Sequence, residues 1–517
     1  MIRDPAITDV LSPGRLETIP ARWAGARGAA LAIADARGEW SWRELEHGRR
    51  QLAELLLTLG IRAGDRVMVV GENCATLVAL LFAISSVHAW VVNVNARLSP
   101  REIDGIRAHC GARRVLCLGD DSPDAKHHAE RMQATRLSLG RWGTISVSAM
   151  DERCTPEPVE GNPARDVAAL VYTTGTTGEP KGVMLTHASL LFIARIAVEL
   201  RGITPEDRVF GILPLSHVYG LASVCLGTLR AGASLYLQAR FSPAQMAECI
   251  ATHRITVCQG VPAMYAKLLE QLKTRGAPRL NAPSLRFIYA GGSPLAPALK
   301  SEVEAAFGLP LHNGYGLTEA SPTIMQTRHD ERRGDCSVGR ALPGVEVRIV
   351  DREGVDAPAG ETGELWARGP NIMKGYYKDA QATAAALRPG GWLATGDLAR
   401  QGDDGAYFIE GRLKELIIRS GFNVLPVEVE AVLNAHPEVT QSAVVGRPVA
   451  GDEEVVAFVE LVPGARATPA TLLEFASESL APYKRPAEIV VLASLPAAPS
   501  GKVLKARLAQ LARERRG

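Results

Sequence analysis

The stretch Tyr172-Thr173-Thr174-Gly175-Thr176-Thr177-Gly178-Glu179-Pro180-Lys181-Gly182 gathers four threonines and three glycines around one lysine. Backbone amides and hydroxyls at this density can wrap phosphate oxygens. Lys181 adds a compact point charge suited to a polyphosphate. This is not a Walker A loop, which would read GxxxxGK[ST] and run into a helix. Here Pro180 precedes the lysine and Val183-Met184-Leu185 continues as a strand. A bland Gly/Thr hairpin would not need this composition over so long a run.

The segment resembles the signature loop of the adenylate-forming superfamily, which includes acyl-CoA synthetases, aryl-CoA ligases, adenylation domains of peptide synthetases and firefly luciferase. Further motifs follow in the family's order. Asn313-Gly314-Tyr315-Gly316-Leu317-Thr318-Glu319 resembles its aromatic-Gly-x-Thr-Glu motif, and Trp392-Leu393-Ala394-Thr395-Gly396-Asp397 its Thr-Gly-Asp motif. Gly411-Arg412-Leu413-Lys414-Glu415 resembles the hinge motif, and Pro499-Ser500-Gly501-Lys502 the terminal lysine motif. Each is short and weak alone; together, in order and spread over nearly the whole chain, they are specific. The likeness is strongest to bacterial acyl-CoA synthetases.

The resemblance implies an ATP-dependent acid–thiol ligase using Mg²⁺ and coenzyme A. A carboxylate attacks the α-phosphate of ATP to give an acyl adenylate and pyrophosphate, and a thiol then displaces AMP. Such chemistry needs positioning and stabilisation of spread negative charge rather than an enzyme nucleophile. On this reading Thr173, Thr174, Gly175, Thr176, Thr177, Gly178 and Lys181 hold phosphates. Glu319 ligates Mg²⁺ with the Thr176 hydroxyl nearby, and Tyr315 stacks on adenine beside Asn313, Gly314, Gly316 and Thr318. Gly291-Gly292-Ser293 forms the adenine-side loop. Asp397 accepts both ribose hydroxyls, as a two-oxygen carboxylate can, with Arg412 on the same sugar. Lys502 bridges the acyl carboxylate and the α-phosphate, whereas Lys505 reads as a surface residue. Ala497 and Ala498 stand where many relatives carry a polar or basic residue.

Leu213-Pro214-Leu215-Ser216-His217-Val218-Tyr219-Gly220 resembles the motif whose histidine lines the acyl and thiol channel, with Ser216 where many relatives have an aromatic. The resemblance places His217, Gly220, Val261, Ala290, Gly291, Leu317 and Ala320 around the acyl pocket. None could pair a second substrate charge, so the expected acid is a neutral fatty or aromatic carboxylate. A dicarboxylate would need a buried cation; Arg286 is the nearest, and strand alternation turns it to the opposite face. Lys414 would be a hinge, with Ser420 and Gly421 facing the CoA channel. Pro496 to Lys502 also resembles acylation targets in bacterial acyl-CoA synthetases, which would make a lysine acetyltransferase acting on Lys502 a partner. Two rivals remain: an acyl-AMP ligase loading a carrier protein in trans, and a nucleotide-binding regulator without catalysis. The chain carries no Gly-x-Asp-Ser-Leu phosphopantetheine site, so a modular peptide synthetase is not expected.

These side chains must be carried by a large α/β scaffold. Ser41-Trp42-Arg43-Glu44 is a capping-box pattern opening a helix that Gly60 stops. Buried strands are expected at 65–71, 115–118, 168–172, 234–237 and 256–258, and helices at 243–253 and 263–272. Alternation of this kind predicts mixed, mostly parallel sheets. The texture turns β-rich over about 336–412, and a compact α+β unit follows. The resulting division is an ATP- and acyl-binding domain over 1–412 and a mobile C-terminal domain over 413–517. Ala75 to Val92 lacks Asp, Glu, Lys and Arg, and reads as a buried helix feeding a buried strand rather than a membrane span.

Composition fits this picture. The 517 residues carry 58 Lys+Arg against 56 Asp+Glu, a net charge of +2, too small an excess for generic nucleic-acid binding. Eight cysteines include no CxxC pair, and the first residues lack the apolar core of a signal peptide. Both features lead to the expectation of a cytoplasmic protein.

Overall fold

The computed structural model describes residues 14–174, 180–277, 279–420, 422–449, 451–497 and 503–515. Two large sheets dominate the first four-fifths of the chain. The nine-stranded sheet runs parallel through its centre, from Leu31–Asp35 through Ser234–Leu237, Arg208–Gly211, Val257–Gly260 and Phe287–Ala290 to Leu311–Gly316. The eight-stranded sheet is parallel at Val167–Thr174, Trp90–Asn95, Arg66–Gly71 and Arg114–Cys117, with antiparallel strands outside.

One core cluster joins the inner faces of both sheets, and helices Ala75–Ser86 and His187–Arg201 are among those that pass through it. Helix Ala75–Ser86 is buried at every position to Ser85. An apolar surface all round is what a helix sandwiched between sheets requires, and it explains the charge-free run. The strand Trp90–Asn95 follows, as expected. No described helix is long and apolar enough to cross a membrane. Helix His187–Arg201 is another inner helix, opened by a Thr186 capping box and closed by left-handed Gly202. Separate clusters fill the outer faces of each sheet.

The expected capping box at Ser41 is present: its hydroxyl accepts from the Glu44 amide while the Glu44 carboxylate takes the Ser41 amide. The β-rich stretch forms a five-stranded sheet from Glu346–Val350 to Tyr407–Arg412. Beyond it, strands Val439–Val449, Asp452–Leu461 and Glu488–Leu492 form a sheet with cores on both faces. Helices Pro426–Asn434 and Pro469–Ser479 cover one face and Lys505–Glu514 the other.

Candidate active site

The phosphate-loop hairpin is built from strands Val167–Thr174 and Pro180–Thr186, which place Thr173 opposite Lys181. Gly175, Thr176, Thr177 and Gly178, between them, lie outside the described residues, as do Gly421 and Lys502. Lys181 sends its Nζ over the ring of Tyr376, 4.9 Å from the centroid. The Tyr376 hydroxyl donates to Glu319 Oε1 at 2.7 Å. Burial, and then the Glu319 carboxylate, push the phenol pKa well above its ordinary value, so it stays a donor. One aromatic residue therefore links the lysine of the phosphate loop to the expected metal ligand.

The segment Asn371–Tyr376 makes this link by strapping two distant elements together. Tyr376 pairs with Val183 across from the hairpin, and the Lys374 amide donates to the Met184 carbonyl. On the other side the Met373 amide donates to the Glu319 carbonyl, and the Asn371 amide group donates to the Ala320 and Thr323 carbonyls. Glu319 itself sits in the single 3₁₀ turn Thr318–Ala320 after strand Leu311–Gly316. Sequence reasoning missed Tyr376. Its partners are about 57 and 195 residues away in the chain, so no local spacing signals it.

The residues expected at the nucleoside assemble on neighbouring strands. Asp397 and Arg412 face each other across Trp392–Gln401 and Tyr407–Arg412, and Arg412 Nε pairs with Asp397 Oδ1 at 2.9 Å. The Tyr315 hydroxyl donates to Asp397 Oδ2 at 2.5 Å. Burial, then the neighbouring carboxylate, hold the Tyr315 phenol protonated. Burial works against the Arg412 charge, yet Asp397, Glu415, Tyr315 and Glu319 outweigh it and raise its pKa. Gly396, at φ +71, sits beside a register shift and turns Asp397 inward, a conformation that glycine adopts without strain.

Other expected contacts are redistributed. The Asn313 side chain is occupied internally: its amide donates to the Cys336 and Ser337 carbonyls and its oxygen accepts from the Gly314 amide. A Cβ on Gly314 would meet the Tyr289 hydroxyl at 1.9 Å, and one on Gly316 the Pro322 carbonyl at 1.9 Å. Both glycines are thus required by close packing. Thr318 is buried. Gly292 is exposed at φ +82, beside half-buried Ser293.

In the acyl region, His217 is exposed rather than a core histidine. Its Nδ1 accepts from the Tyr219 amide at 3.2 Å, so the neutral ring carries its proton on Nε2. Gly220 has no room for a side chain, since a Cβ would stand 2.3 Å from the Pro214 carbonyl. Val261 and Ala320 are buried and Leu317 half-buried, all against the inner core. Ala290 corrects the expectation. Strand alternation puts its side chain in the outer cluster with Cys258 and Ile288, whereas Tyr289 and Gly291 face inward. A Cβ on Gly291 would meet the rings of Tyr289 and Tyr219 at 3.2 and 3.4 Å. Sequence reasoning missed both tyrosines, which pack beside Gly291, and the i, i+2 relation of Tyr289 to Gly291 is the signal that could have found one of them. Arg286 lies outside the pocket, as expected, paired with Asp207 at 2.5 Å.

Lys505 is a second correction. It is not a surface residue: its ammonium bridges Glu415 at 2.9 Å and Glu430 at 2.8 Å. Burial opposes the charge, but Glu430 and Glu415 raise its pKa above the ordinary lysine value. Lys414 is exposed in the turn Leu413–Glu415. Ser420 is exposed at φ +53, its amide and hydroxyl both donating to the Asp452 carboxylate.

Residues 20–377 match the family model described as AMP-binding enzyme, and residues 428–502 match the AMP-binding enzyme C-terminal domain. A feruloyl-CoA synthase of Amycolatopsis sp is 34% identical over 490 residues, covering 94% of this chain and 96% of that protein. The 4-coumarate–CoA ligase 2 of Solanum tuberosum is 34% identical over 488 residues, covering 90% and 88%. Among solved structures, ATP-bound MatB from Rhodopseudomonas palustris superposes with a TM-score of 0.85 at 30% identity, covering 98% of this chain and all of the other. With the threonine-rich hairpin, the Glu319 turn and the Asp397–Arg412 pair converging as they do, the chain belongs to the AMP-binding enzymes of the adenylate-forming acyl-CoA synthetase superfamily, and is an ATP- and CoA-using acid–CoA ligase.

Proposed function

We propose that this ligase activates an aromatic carboxylic acid as its acyl adenylate, releasing pyrophosphate, and then transfers the acyl group to coenzyme A. The observation that carries the aromatic reading is the pair Tyr219 and Tyr289, whose ring centroids lie 6.2 Å apart at 69° beside Gly291. An aromatic ring fits such walls edge-to-face, worth about 0.5–1.5 kcal/mol beyond area burial. The names of the feruloyl, 4-coumarate and indoleacetate relatives support the same substrate class.

Lys181 attracts the polyphosphate, and Tyr376 keeps that charge and Glu319 in register. Asp397 accepts from the ribose hydroxyls while Arg412 holds the carboxylate in place. Glu319 would hold Mg²⁺: a carboxylate with one oxygen already committed to a phenol offers the other as a hard ligand. No group of three or more metal-binding side chains occurs among the described residues, so phosphate and water would complete the shell, as Mg²⁺ favours. The ion would supply charge neutralisation at the phosphates. Lys502 would stabilise the charge building at the α-phosphate, and residues from about 414 would turn as a body so that the thiol can enter past His217.

The test is release of AMP and pyrophosphate over a panel of aromatic and aliphatic acids, with and without CoA. AMP formed only with CoA and only with aromatic acids supports the proposal. Preference for aliphatic acids, or transfer to a carrier protein but not to CoA, refutes it.

A further inference from the structure

Strand Arg66–Gly71 of the eight-stranded sheet ends in Glu72 and Asn73, and both side chains reach across to the nine-stranded sheet. Asn73 is 4% exposed. Its Nδ2 donates to the Gly211 carbonyl at 3.1 Å and to the Leu213 carbonyl at 2.9 Å, and its Oδ1 accepts from the Leu215 amide at 2.9 Å. Asn93, on the adjoining strand Trp90–Asn95, donates to the Leu215 carbonyl at 3.4 Å. One side chain thus grips three alternate residues that lie 138 to 142 positions away in the chain.

Residues 212–215 carry the chain off the end of strand Arg208–Gly211 and belong to no helix or strand. Ile212, Leu213 and Leu215 are nevertheless buried. Buried backbone groups outside regular structure still need partners. An asparagine side chain offers the donors and the acceptor of a peptide group, so Asn73 does for this segment what a neighbouring strand would do.

His217 stands on this segment. Its amide donates to the Pro214 carbonyl at 3.0 Å, and its carbonyl accepts from the Leu221 amide at 3.0 Å. Gly220, in the π-helix Tyr219–Leu226, presses on the same turn: a Cβ there would stand 2.6 Å from the Leu213 carbonyl and 2.3 Å from that of Pro214. The turn is therefore held between Asn73 on one side and the start of the π-helix on the other. The position of the imidazole, whose Nδ1 is committed to the Tyr219 amide, follows from both.

We propose that Asn73, seconded by Asn93, is a positioning residue for thioester formation: it fixes residues 211–215 against the opposite sheet and so sets where His217 presents Nε2 to the incoming thiol. This rests on the reading of His217 as a wall of the thiol channel. A displacement of about 1 Å at such a group can cost about 10²-fold in rate. Glu72 supplies the comparison. It is 5% exposed and pairs with Arg240 at 2.9 Å and with Arg97 at 3.6 Å, so it joins the same two sheets through Arg240 rather than through residues 211–217.

The experiment measures the two half-reactions separately, with cinnamate or the best acid of the panel above. Pyrophosphate release is followed with acid saturating and ATP varied, and thioester formation from the synthetic adenylate with CoA varied. Asn73→Ala should lower kcat/KM for CoA by at least about tenfold and kcat/KM for ATP by less than about threefold. In a His217→Ala background the same change should cost less than about threefold, because the group being positioned is gone. Glu72→Gln should lower the thermal midpoint and leave the ratio of the two half-reactions unchanged. Asn93→Leu, which is near-isosteric and removes one long bond, should shift that ratio in the same direction by about threefold; it carries the test where Asn73→Ala does not fold. Equal loss in both half-reactions, or an undiminished loss in the His217→Ala background, would mean that Asn73 only stabilises the fold and would overturn the proposal. If His217→Ala spares thioester formation, the channel reading itself fails. If His217→Ala slows it and neither asparagine variant does, the channel reading stands and the positioning role alone fails.

Discussion

The Tyr376 hydroxyl donates to Glu319 Oε1 at 2.7 Å, and this single bond couples the strap at 371–376 to the acidic turn that follows the nucleotide strand. Replacing Tyr376 by Phe removes the bond but keeps the ring under Lys181. Loss of a hydrogen bond to a charged group costs about 1.5–3 kcal/mol. We expect the Mg²⁺ half-saturation concentration and the Kd for Mg²⁺-ATP to rise roughly tenfold or more, with little change in thermal midpoint. Tyr376→Leu, which also removes the cation–π contact, should be worse. Unchanged metal and ATP titrations would show that the bond positions nothing.

Asp397 serves Tyr315 and Arg412, is 3% exposed, and is the residue proposed to accept from the ribose. Asp397→Asn should therefore have two effects. AMP affinity should fall by about 10- to 100-fold, as expected for one lost charged hydrogen bond, and the thermal midpoint should fall because a largely buried Arg412 loses its counter-charge. AMP titration and thermal unfolding read the two separately. Wild-type AMP affinity in this variant would remove Asp397 from the ribose site.

His187 is fully buried, with Nδ1 accepting the Leu16 amide. Burial, then the nearby Arg15, lower its pKa from 6.5 to about 3. The unfolded chain binds a proton here below pH 6.5 and the folded chain does not. Its contribution is therefore fully present above pH 6.5 and is lost as pH falls toward 3, at about 1.4 kcal/mol per pH unit. Thermal midpoints measured from neutral to mildly acidic pH should fall, and His187→Asn, which can still accept the Leu16 amide, should flatten that fall. Parallel curves for the two proteins would assign acid sensitivity elsewhere.

The two half-reactions offer a fourth test. Lys502→Ala should slow acyl-adenylate formation by about 10²–10³, the usual loss for one charge-stabilising donor, and spare thioester formation from a supplied adenylate. Lys414→Pro, which fixes a backbone torsion, should do the reverse. Equal damage to both steps by both substitutions would rule out alternation of the small domain.

Legibility in the sequence followed the range of the interaction. The Ser41 capping box, the charge-free helix from Ala75 and the helix Pro243–Thr252 were readable because each depends on residues a few positions apart. The Asp397–Arg412 pair could be named from motif resemblance, although its cross-strand geometry could not. Tyr376, Asn73 and the Lys505 bridge were invisible, since their partners come from elements remote in the chain and no local pattern marks them. Ala290 was misplaced for a different reason: a resemblance assigns a segment to a pocket, but strand alternation decides which of its side chains enter.

The bridge made by Lys505 has a mechanical side. Arg412 is pinned to Asp397 on the large unit, and Glu415 is pinned through Lys505 to Glu430 on the small one. Between these two anchors lie only Leu413 and Lys414, both exposed. Any swing of the small unit that leaves both anchors closed must be absorbed by the torsions of two residues, which makes the connection a crank rather than a leash. If the small unit turns as proposed, a tether this short would hold it at high effective concentration beside the large one and restrict it to a few orientations. Inserting a glycine pair after Leu413 would add slack, turning a pivot between defined stops into a search.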